Sequence, residues 1–157
     1  MTSFQQNAEK IVDELIEKHC LDLDISIEIA DLKRCAGQYH HSDQKIRISR
    51  YLFENHPEKL LETVKHELGH AVVDRRYRRK VKPHGPEWKA AMNELGVKNP
   101  SRCHQIQLTD YKYIVECVNS DCSFRFGRYR KSKTVKNIEK YRCGRCGSKM
   151  NSFSTGS

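Results

Sequence analysis

The chain has 157 residues, 37% of them hydrophobic, so it can build one modest core and a small appendage but no second large domain. Its formal net charge is +9, and its halves differ: residues 1–74 carry 9 Lys or Arg against 14 Asp or Glu, whereas residues 75–157 carry 20 against 6. A basic half is typical of contact with nucleic acid or another anionic surface, and no apolar run is long enough to cross a bilayer, so membrane insertion is excluded.

The N-terminal part of the chain predicts one helix and three strands. Residues 4–16 repeat apolar side chains at helical spacing with charges between them, which favours an amphipathic helix. Isoleucines alternate with polar residues over residues 25–29, a pattern typical of a half-buried strand. Two further extended segments, Gly37–His40 and Lys45–Ser49, flank the polar residues 41–44 and predict a hairpin.

Two helices are predicted in the middle of the chain. The longer one covers residues 57–73, where Pro57 suits a first helical turn and apolar residues recur on one side. The shorter one begins at Pro86 and has Gly96 as its C-cap. Helices and short strands in this order predict an α+β fold with a small sheet.

The chain is predicted to divide into two domains and a tail. Residues 99–101 end the regular structure that begins the chain, and we place a domain boundary near residues 100–110. From Tyr111 onward the chain is poor in aliphatic residues and rich in Lys, Arg and Cys, so this part cannot bury much of a core without a metal. We place a compact domain at residues 1–105, a β-rich basic module at residues 110–151 and a disordered tail at residues 152–157.

The strongest motif, HELGH, spans residues 66–70 and lies inside the longer predicted helix. Its two histidines, His66 and His70, lie about one helical turn of 5.4 Å apart, so both imidazoles can reach one Zn²⁺. Glu67 lies beside them, close enough to take a proton from water at the metal without being a ligand. The motif therefore predicts a catalytic zinc with Glu67 as the general base.

A catalytic zinc needs a third protein ligand, and two residues compete for this role. His84 lies between a proline and a Gly-Pro pair in a stiff turn before the shorter helix, and neutral imidazole suits zinc, so it is the preferred ligand. Glu87, in that helix, is the alternative. The remaining histidines are expected at the surface, with His40 and His41 as the two that could line the site.

Four cysteines predict a second metal site. Cys117 and Cys122 form one close pair, Cys143 and Cys146 form the other, and 20 residues separate the pairs. This spacing is typical of a zinc ribbon, in which the metal replaces a hydrophobic core. We therefore expect one structural Zn²⁺ in the C-terminal module, in addition to the catalytic one.

Basic and aromatic residues alternate between the two cysteine pairs. Arg and Lys can neutralise phosphates, and Phe126 or Tyr129 can stack on exposed bases. A second basic cluster, residues 75–80, follows the longer helix, where cations also stabilise a helix C-terminus. We expect DNA or RNA as a partner, bound through Arg125, Arg128, Tyr129, Arg130, Lys131 and Lys133.

The cysteines and the N-terminus indicate the cellular compartment. Seven cysteines, an odd number with four in two close pairs, fit metal binding in a reducing compartment better than a disulfide framework. Residues 1–19 are acidic and amphipathic and lack the basic and apolar regions of a secretion signal. We therefore expect a cytoplasmic protein, and we expect it to be a monomer.

The HELGHAVVD segment, the HGPEW segment after it and the C-terminal cysteine quartet, in this order, resemble the SprT-like family of zinc metallopeptidases. The resemblance covers nearly the whole chain. It implies that residues 1–105 are a zincin-like peptidase domain in which His66, His70 and His84 bind zinc and Glu67 is the catalytic base. Eukaryotic relatives, the Spartan proteases, cleave proteins crosslinked to DNA.

The resemblance thus implies a zinc-dependent endopeptidase that hydrolyses peptide bonds with a zinc-activated water, acting on proteins associated with or crosslinked to nucleic acid. Two alternatives stay open: a non-catalytic zinc-ribbon adaptor that binds nucleic acid, and a three-histidine zinc nuclease. Peptide hydrolysis also needs an oxyanion stabiliser, for which Tyr77 and residues 75–79 are candidates. The predicted strand Lys45–Ser49 is a candidate for aligning the substrate backbone.

Overall fold

The computed structural model describes residues 3–102 and 106–156. The chain divides into two compact units, Met1–Leu108 and Thr109–Ser157. Each unit combines helices with a small sheet, so the architecture is α+β, as predicted. Within the described residues, no helix is both long enough and apolar enough to span a membrane.

The first unit contains a three-stranded mixed sheet of β1 (Ser26–Ala30), β2 (Gly37–His40) and β3 (Lys45–Ser49). β3 lies in the centre, parallel to β1 and antiparallel to β2, which confirms the predicted hairpin. Ile46 and Ile48 of β3 are fully buried. β1 and β2 are therefore the edge strands, and β3 has both of its edges paired.

Four helices accompany this sheet. α1 (Ser3–Lys18) and α3 (Leu60–Tyr77) pack against the strands, and α4 (Pro86–Glu94) packs against α3. Two details differ from the prediction: Pro57–Lys59 forms a separate short 3₁₀ helix, and α3 runs on to Tyr77, where Arg78 in the left-handed region (φ 48°) ends it. The fourth helix, α2 (Arg50–Asn55), is not predicted by the sequence.

α4 ends in a turn that depends on glycine. Gly96 has φ +82° and lies one residue beyond the C-cap residue, Leu95. The sequence predicts Gly96 at the C-cap itself, so this prediction is wrong by one residue. The Gly96 amide donates to the Asn93 carbonyl (3.0 Å), and the Val97 amide donates to the Met92 carbonyl (2.9 Å). These two bonds are the Schellman pattern, which satisfies the last carbonyls of the helix.

The core of the first unit lies between α3 and the sheet, where Val64 and Leu68 are fully buried. At the outer edge of β1, the side chain of Gln5 from α1 takes the place of a further strand. Its amide donates to the Ile27 carbonyl (2.7 Å), and its carbonyl accepts from the Ile29 amide (3.2 Å). Because these groups are satisfied, this stretch of β1 is protected against pairing with another chain.

The second unit contains an antiparallel sheet of β4 (Tyr113–Cys117), β5 (Arg125–Arg128) and β6 (Met150–Ser154), with β4 in the centre. A short helix, α5 (Lys133–Lys136), and a 3₁₀ helix, Ile138–Lys140, connect β5 to the second cysteine pair. The buried hydrophobic cluster of the second unit is small and consists of Val115, Val135, Cys143 and Met150.

The predicted disordered tail, residues 152–157, is wrong over residues 152–154. These residues belong to β6, which pairs with β4 as far as Tyr113 opposite Ser154, and the Thr155 amide continues the pairing by donating to the Lys112 carbonyl (2.9 Å). The polar sequence SFSTGS has no strong strand pattern of its own. Backbone pairing with β4 supplies the order that local sequence does not.

Candidate metal centres and the adjoining cleft

α3 places two histidines and a glutamate at the boundary between the core and a cleft. His66 and Glu67 are only 6% and 4% exposed, and His70 is half-buried. Gly69 lies between them, where a Cβ atom would come within 2.7 Å of Met92 Sδ. Glycine at this position therefore allows α4 to pack directly against the segment of α3 that carries the histidines.

The turn before α4 brings a third histidine to the same place. One ligand nitrogen each from His66, His70 and His84 lie within 4.8 Å of one another, and His84 Nε2 lies 3.3 Å from His66 Nε2. A tetrahedral zinc with Zn–N bonds of about 2.0–2.1 Å places its nitrogen ligands about 3.3–3.4 Å apart. The three imidazoles therefore have a spacing and a chemistry that suit zinc.

Trp88 of α4 forms a wall behind the three imidazoles. Its ring centroid lies 4.8 Å from those of His66 and His84 and 5.7 Å from that of His70. Its indole N–H also donates to the His66 carbonyl (3.4 Å). The sequence gives no sign that Trp88 contacts all three histidines.

The alternative third ligand, Glu87, does not join the histidine group. The cluster found among the described residues contains His66, His70 and His84. Glu87 Oε2 instead lies 3.1 Å from the point where a Cβ of Gly85 would be. The geometry therefore favours the histidine over the glutamate at the third position.

The Glu67 side chain packs against the backbone of β2. A Cβ atom on Gly37 would lie 2.9 Å from Glu67 Cγ and 3.3 Å from Glu67 Oε1. The Cys35 thiol is close enough that burial, and then the negative charge of Glu67, raise the pKa of this thiol. Glu67 is thus held between α3 and the β2 segment, where a glycine leaves room for it.

A cleft of about 700 Å³ opens beside this group, between α3 and β2. Glu67, His70 and His84 line it, together with residues that the sequence does not link to the site. The Tyr39 hydroxyl of β2 donates to Asp74 Oδ2 of α3 (2.9 Å). Burial, and then this hydrogen bond, raise the pKa of Tyr39, so the phenol stays protonated. His40 and His41, the two further histidines that the sequence allows at the site, also line the cleft.

Two of the five basic residues of the cluster at the end of α3, residues 75–80, form ion pairs within the first unit. Arg75 pairs with Asp22 (3.0 Å), and Arg76 makes two hydrogen bonds of 2.8 Å to Glu94. Tyr77 is 41% exposed and does not line the cleft. Tyr77 is therefore poorly placed to stabilise an oxyanion near the histidines.

The second unit brings the four predicted cysteines together. Their sulfur atoms lie within 4.8 Å of one another, with 3.4 Å between Cys117 and Cys146 and 3.7 Å between Cys122 and Cys143. Tetrahedral zinc with Zn–S bonds of about 2.3 Å places its sulfurs about 3.8 Å apart. All four are free thiols, and hydrogen bonds from the Ser148 side chain and backbone lower the pKa of Cys146 to about 6. The quartet therefore also suits zinc.

The predicted nucleic-acid residues lie on β5 and in the segment that follows it. Tyr129 is half-buried, its hydroxyl donates to the Thr109 carbonyl (3.2 Å), and its ring lies 4.7 Å from that of Tyr111. The basic residues of this group are all exposed: Arg125, Arg128, Arg130, Lys131 and Lys133. They are therefore available to a partner.

The aromatic side chains expected to stack on bases are partly covered. The Arg128 guanidinium lies 4.4 Å from the ring centroid of Phe126, and Phe126 packs against the small core. Phe153 of β6 is more open, at 43% exposed, with the Arg125 guanidinium 5.8 Å from its ring. Sequence reasoning misses Phe153 because it lies in the segment predicted to be disordered.

The fold and the site define an α+β protein with a candidate metal centre of two histidines from α3 and one from the turn before α4, beside a buried glutamate. The chain belongs to the SprT-like family, whose sequence model matches residues 1–111, and this confirms the resemblance carried by the HELGHAVVD and HGPEW segments. The cysteine quartet lies outside the matched residues.

Similar proteins include Protein SprT of Pseudomonas fluorescens (strain Pf0-1), 30% identical over 115 residues, and Protein SprT of Pseudomonas entomophila (strain L48), 32% identical over 117 residues. Each alignment covers 71% of this chain and 70% of the relative. Among solved structures, the metallopeptidase zymogen jannalysin of Methanocaldococcus jannaschii is 24% identical, with a TM-score of 0.46 over 59% of this chain and 85% of its own. The zymogen abylysin of Pyrococcus abyssi is 12% identical, with a TM-score of 0.47 over 59% of this chain and 83% of its own.

Proposed function

We propose that the protein is a zinc-dependent metallopeptidase. The observation that carries this proposal is the convergence of three imidazoles, from His66, His70 and His84, beside the buried carboxylate of Glu67. Catalytic zinc sites have three protein ligands and keep one position for water, whereas structural sites are closed by four protein ligands. Membership of the SprT-like family supports the same activity.

Glu67 is the group that moves the proton in this proposal. A zinc ion held by the three imidazoles would supply Lewis acidity to water and to a peptide carbonyl. The Glu67 carboxylate accepts a proton from the attacking water and delivers it to the departing amide nitrogen. Its packing against Gly37 restricts its motion, so the carboxylate is oriented before the substrate arrives. An adaptor protein has no use for a buried base at such a position.

The edge strand β2 is the element we propose to align the substrate. An extended peptide can add to an exposed sheet edge through its backbone hydrogen bonds. β3, the strand suggested by the sequence, is wrong for this role because both of its edges are already paired. β1 is partly covered by the side chain of Gln5, whereas β2 is an edge strand that lines the cleft. A peptide beside β2 would lie along the cleft that contains Glu67.

The second unit has features of a nucleic-acid-binding module, which bear on the kind of protein substrate. We propose that the cysteine quartet holds a structural zinc in a zinc ribbon and that the module binds DNA or RNA. The spacing of the four sulfurs and the exposed basic residues of the β5 segment support both roles. The substrates would then be proteins associated with or crosslinked to nucleic acid. Free thiols at every described cysteine support a reducing compartment such as the cytoplasm.

Glu67→Gln tests the peptidase proposal. Zinc content, measured by mass spectrometry of the intact protein, should be unchanged, and hydrolysis of a casein-type protein substrate should fall by about 10²–10⁴-fold, the usual contribution of a general base. Glu87→Gln is the matched control, since it removes a nearby carboxylate outside the histidine group and should leave zinc and hydrolysis unchanged.

Three outcomes would contradict the proposal. Full protein hydrolysis by the Glu67→Gln variant would show that Glu67 is not the general base. Zinc-dependent cleavage of nucleic acid without protein hydrolysis would favour the nuclease. Absence of both activities in the zinc-bound wild-type protein, with nucleic-acid binding intact, would favour the adaptor.

A further inference from the structure

Arg79 brings a positive charge to the cleft that no carboxylate of the described residues neutralises. Two arginines of the same cluster, Arg75 and Arg76, are paired with Asp22 and Glu94. Arg79 forms no such pair, and its guanidinium instead contacts the imidazole of His41. A guanidinium can only donate, so His41 Nε2 is the acceptor in this contact. The charge of Arg79 is thus positioned but not cancelled.

The backbone after α3 turns Arg79 toward the cleft. Arg78 and Arg79 both have positive φ angles, 48° and 62°. Residues other than glycine adopt this region uncommonly, and such positions are concentrated at functional sites. The consequence is a different environment for the two neighbours: Arg79 lines the cleft that contains Glu67 and His70, whereas Arg78 lines only a second cavity of about 500 Å³ beside it.

Arg79 stands at the junction of these two cavities. They share four lining residues, which form two bonded pairs, Tyr39 with Asp74 and His41 with Arg79. Asp74, the carboxylate among these four residues, accepts from the Tyr39 hydroxyl and makes no ion pair with Arg79. The remaining N–H groups of the guanidinium are therefore available at one end of the cleft.

We infer that Arg79, held by His41, binds a carboxylate of the polypeptide substrate, either an acidic side chain near the cleaved bond or the C-terminal carboxylate. This inference rests on the proposed peptidase function. The guanidinium presents a rigid set of N–H groups that matches a carboxylate with two parallel hydrogen bonds, and such charge-assisted bonds are stronger than neutral ones. The His41 imidazole behind the guanidinium fixes its direction and carries no negative charge that would compete with a substrate carboxylate.

The test compares peptides that differ only in one carboxylate. Fluorogenic peptides of one sequence carry Glu or Gln at successive positions on either side of the cleaved bond, and a second set carries a C-terminal acid or amide. Wild-type protein should favour the acidic member at one position, or at the C-terminus, by about tenfold in kcat/KM, the usual size of one charge-assisted hydrogen bond. The two sets identify which carboxylate is bound.

Arg79→Gln should reduce this preference to about onefold, and Arg79→Glu should reverse it toward a Lys-containing peptide. Arg78→Gln is the matched control, because it removes the same charge from the neighbouring residue outside the cleft and should keep the full preference. An unchanged preference in the Arg79→Gln variant, or an equal loss in the Arg78→Gln variant, would overturn the inference.

A binding measurement separates this inference from the peptidase proposal. The affinity of the Glu67→Gln variant for fluorescein-labelled Glu and Gln peptides is measured by anisotropy, which needs no hydrolysis. A preference for the Glu peptide that disappears on adding Arg79→Gln supports the carboxylate site even if the wild-type protein cleaves nothing. Equal affinity for the two members of the Glu/Gln pair and of the C-terminal acid/amide pair, with hydrolysis intact in the wild-type protein, refutes the carboxylate site but not the peptidase proposal.

Discussion

Gly37→Ala tests whether Glu67 is held by the close approach of β2. The new β carbon would lie 2.9 Å from Glu67 Cγ and 3.0 Å from Thr63 Cγ2. Carbon atoms in good contact are about 3.5–4.0 Å apart, so Glu67 or the strand must move by about 0.6–1 Å. Thr63 is fully buried and Glu67 is 4% exposed, so neither side chain can swing into solvent. Gly37 does not have a positive φ, so alanine is acceptable to the backbone itself.

We expect kcat to fall by about 100-fold, the size of effect that a misplacement of about 1 Å can produce, with zinc content unchanged. Crowding a packed site should also lower the free energy of unfolding by about 1–3 kcal/mol. Steady-state kinetics on a fluorogenic peptide, metal analysis and urea unfolding measure the three quantities. Gly144→Ala is the control, since a Cβ there meets nothing within 4 Å. Wild-type kcat in a folded Gly37→Ala variant would refute the argument that β2 positions the base.

Two further predictions concern the second unit. Cys143 belongs to the small core and supplies one of the four sulfur atoms. We therefore expect Cys143→Ser to lower bound zinc from about two equivalents to about one per chain and to disorder the second unit. An unchanged zinc content would contradict this. Replacing Arg125 and Arg130 by Gln should weaken the binding of a labelled oligonucleotide whatever its sequence. The slope of the logarithm of the binding constant against the logarithm of the salt concentration should fall in magnitude by about one for each phosphate that is no longer neutralised. Lys18→Gln on α1 should change neither quantity. Equal losses in all these variants would show that only net charge matters.

Elements with a strong local pattern are predictable from the sequence. The isoleucines of β1 and β3 and the apolar residues of α3 repeat at the period of their element, and the structure has these elements. The motif on α3 and the turn at His84 likewise predict the three histidines that the structure brings together, because the spacing of residues on a helix follows from helical geometry. α2 is missed because six residues between two other elements leave too short a window for a periodic signal.

The wall of the cleft is not predictable, because its contacts join distant parts of the chain. The Tyr39–Asp74 hydrogen bond spans 35 residues, and the contact of Arg79 with His41 spans 38. Neither pair has a spacing that marks it in the sequence, and each depends on β2 running alongside α3. The order of strands is a similar case: the sequence indicates a hairpin, but only the tertiary fold shows that β3 is central and that β2 is the edge strand.

The two candidate metal centres differ in what a metal would contribute. The histidine group lies in a unit whose core draws on α1, all three strands, α2, α3 and α4, so this unit has the apolar burial to fold by itself. The cysteine quartet lies in a unit whose buried cluster is four residues, one of them a candidate ligand, and so small a core rarely supports a fold without a further crosslink. Under the proposed function, zinc therefore takes part in catalysis in the first unit and stabilises the fold of the second.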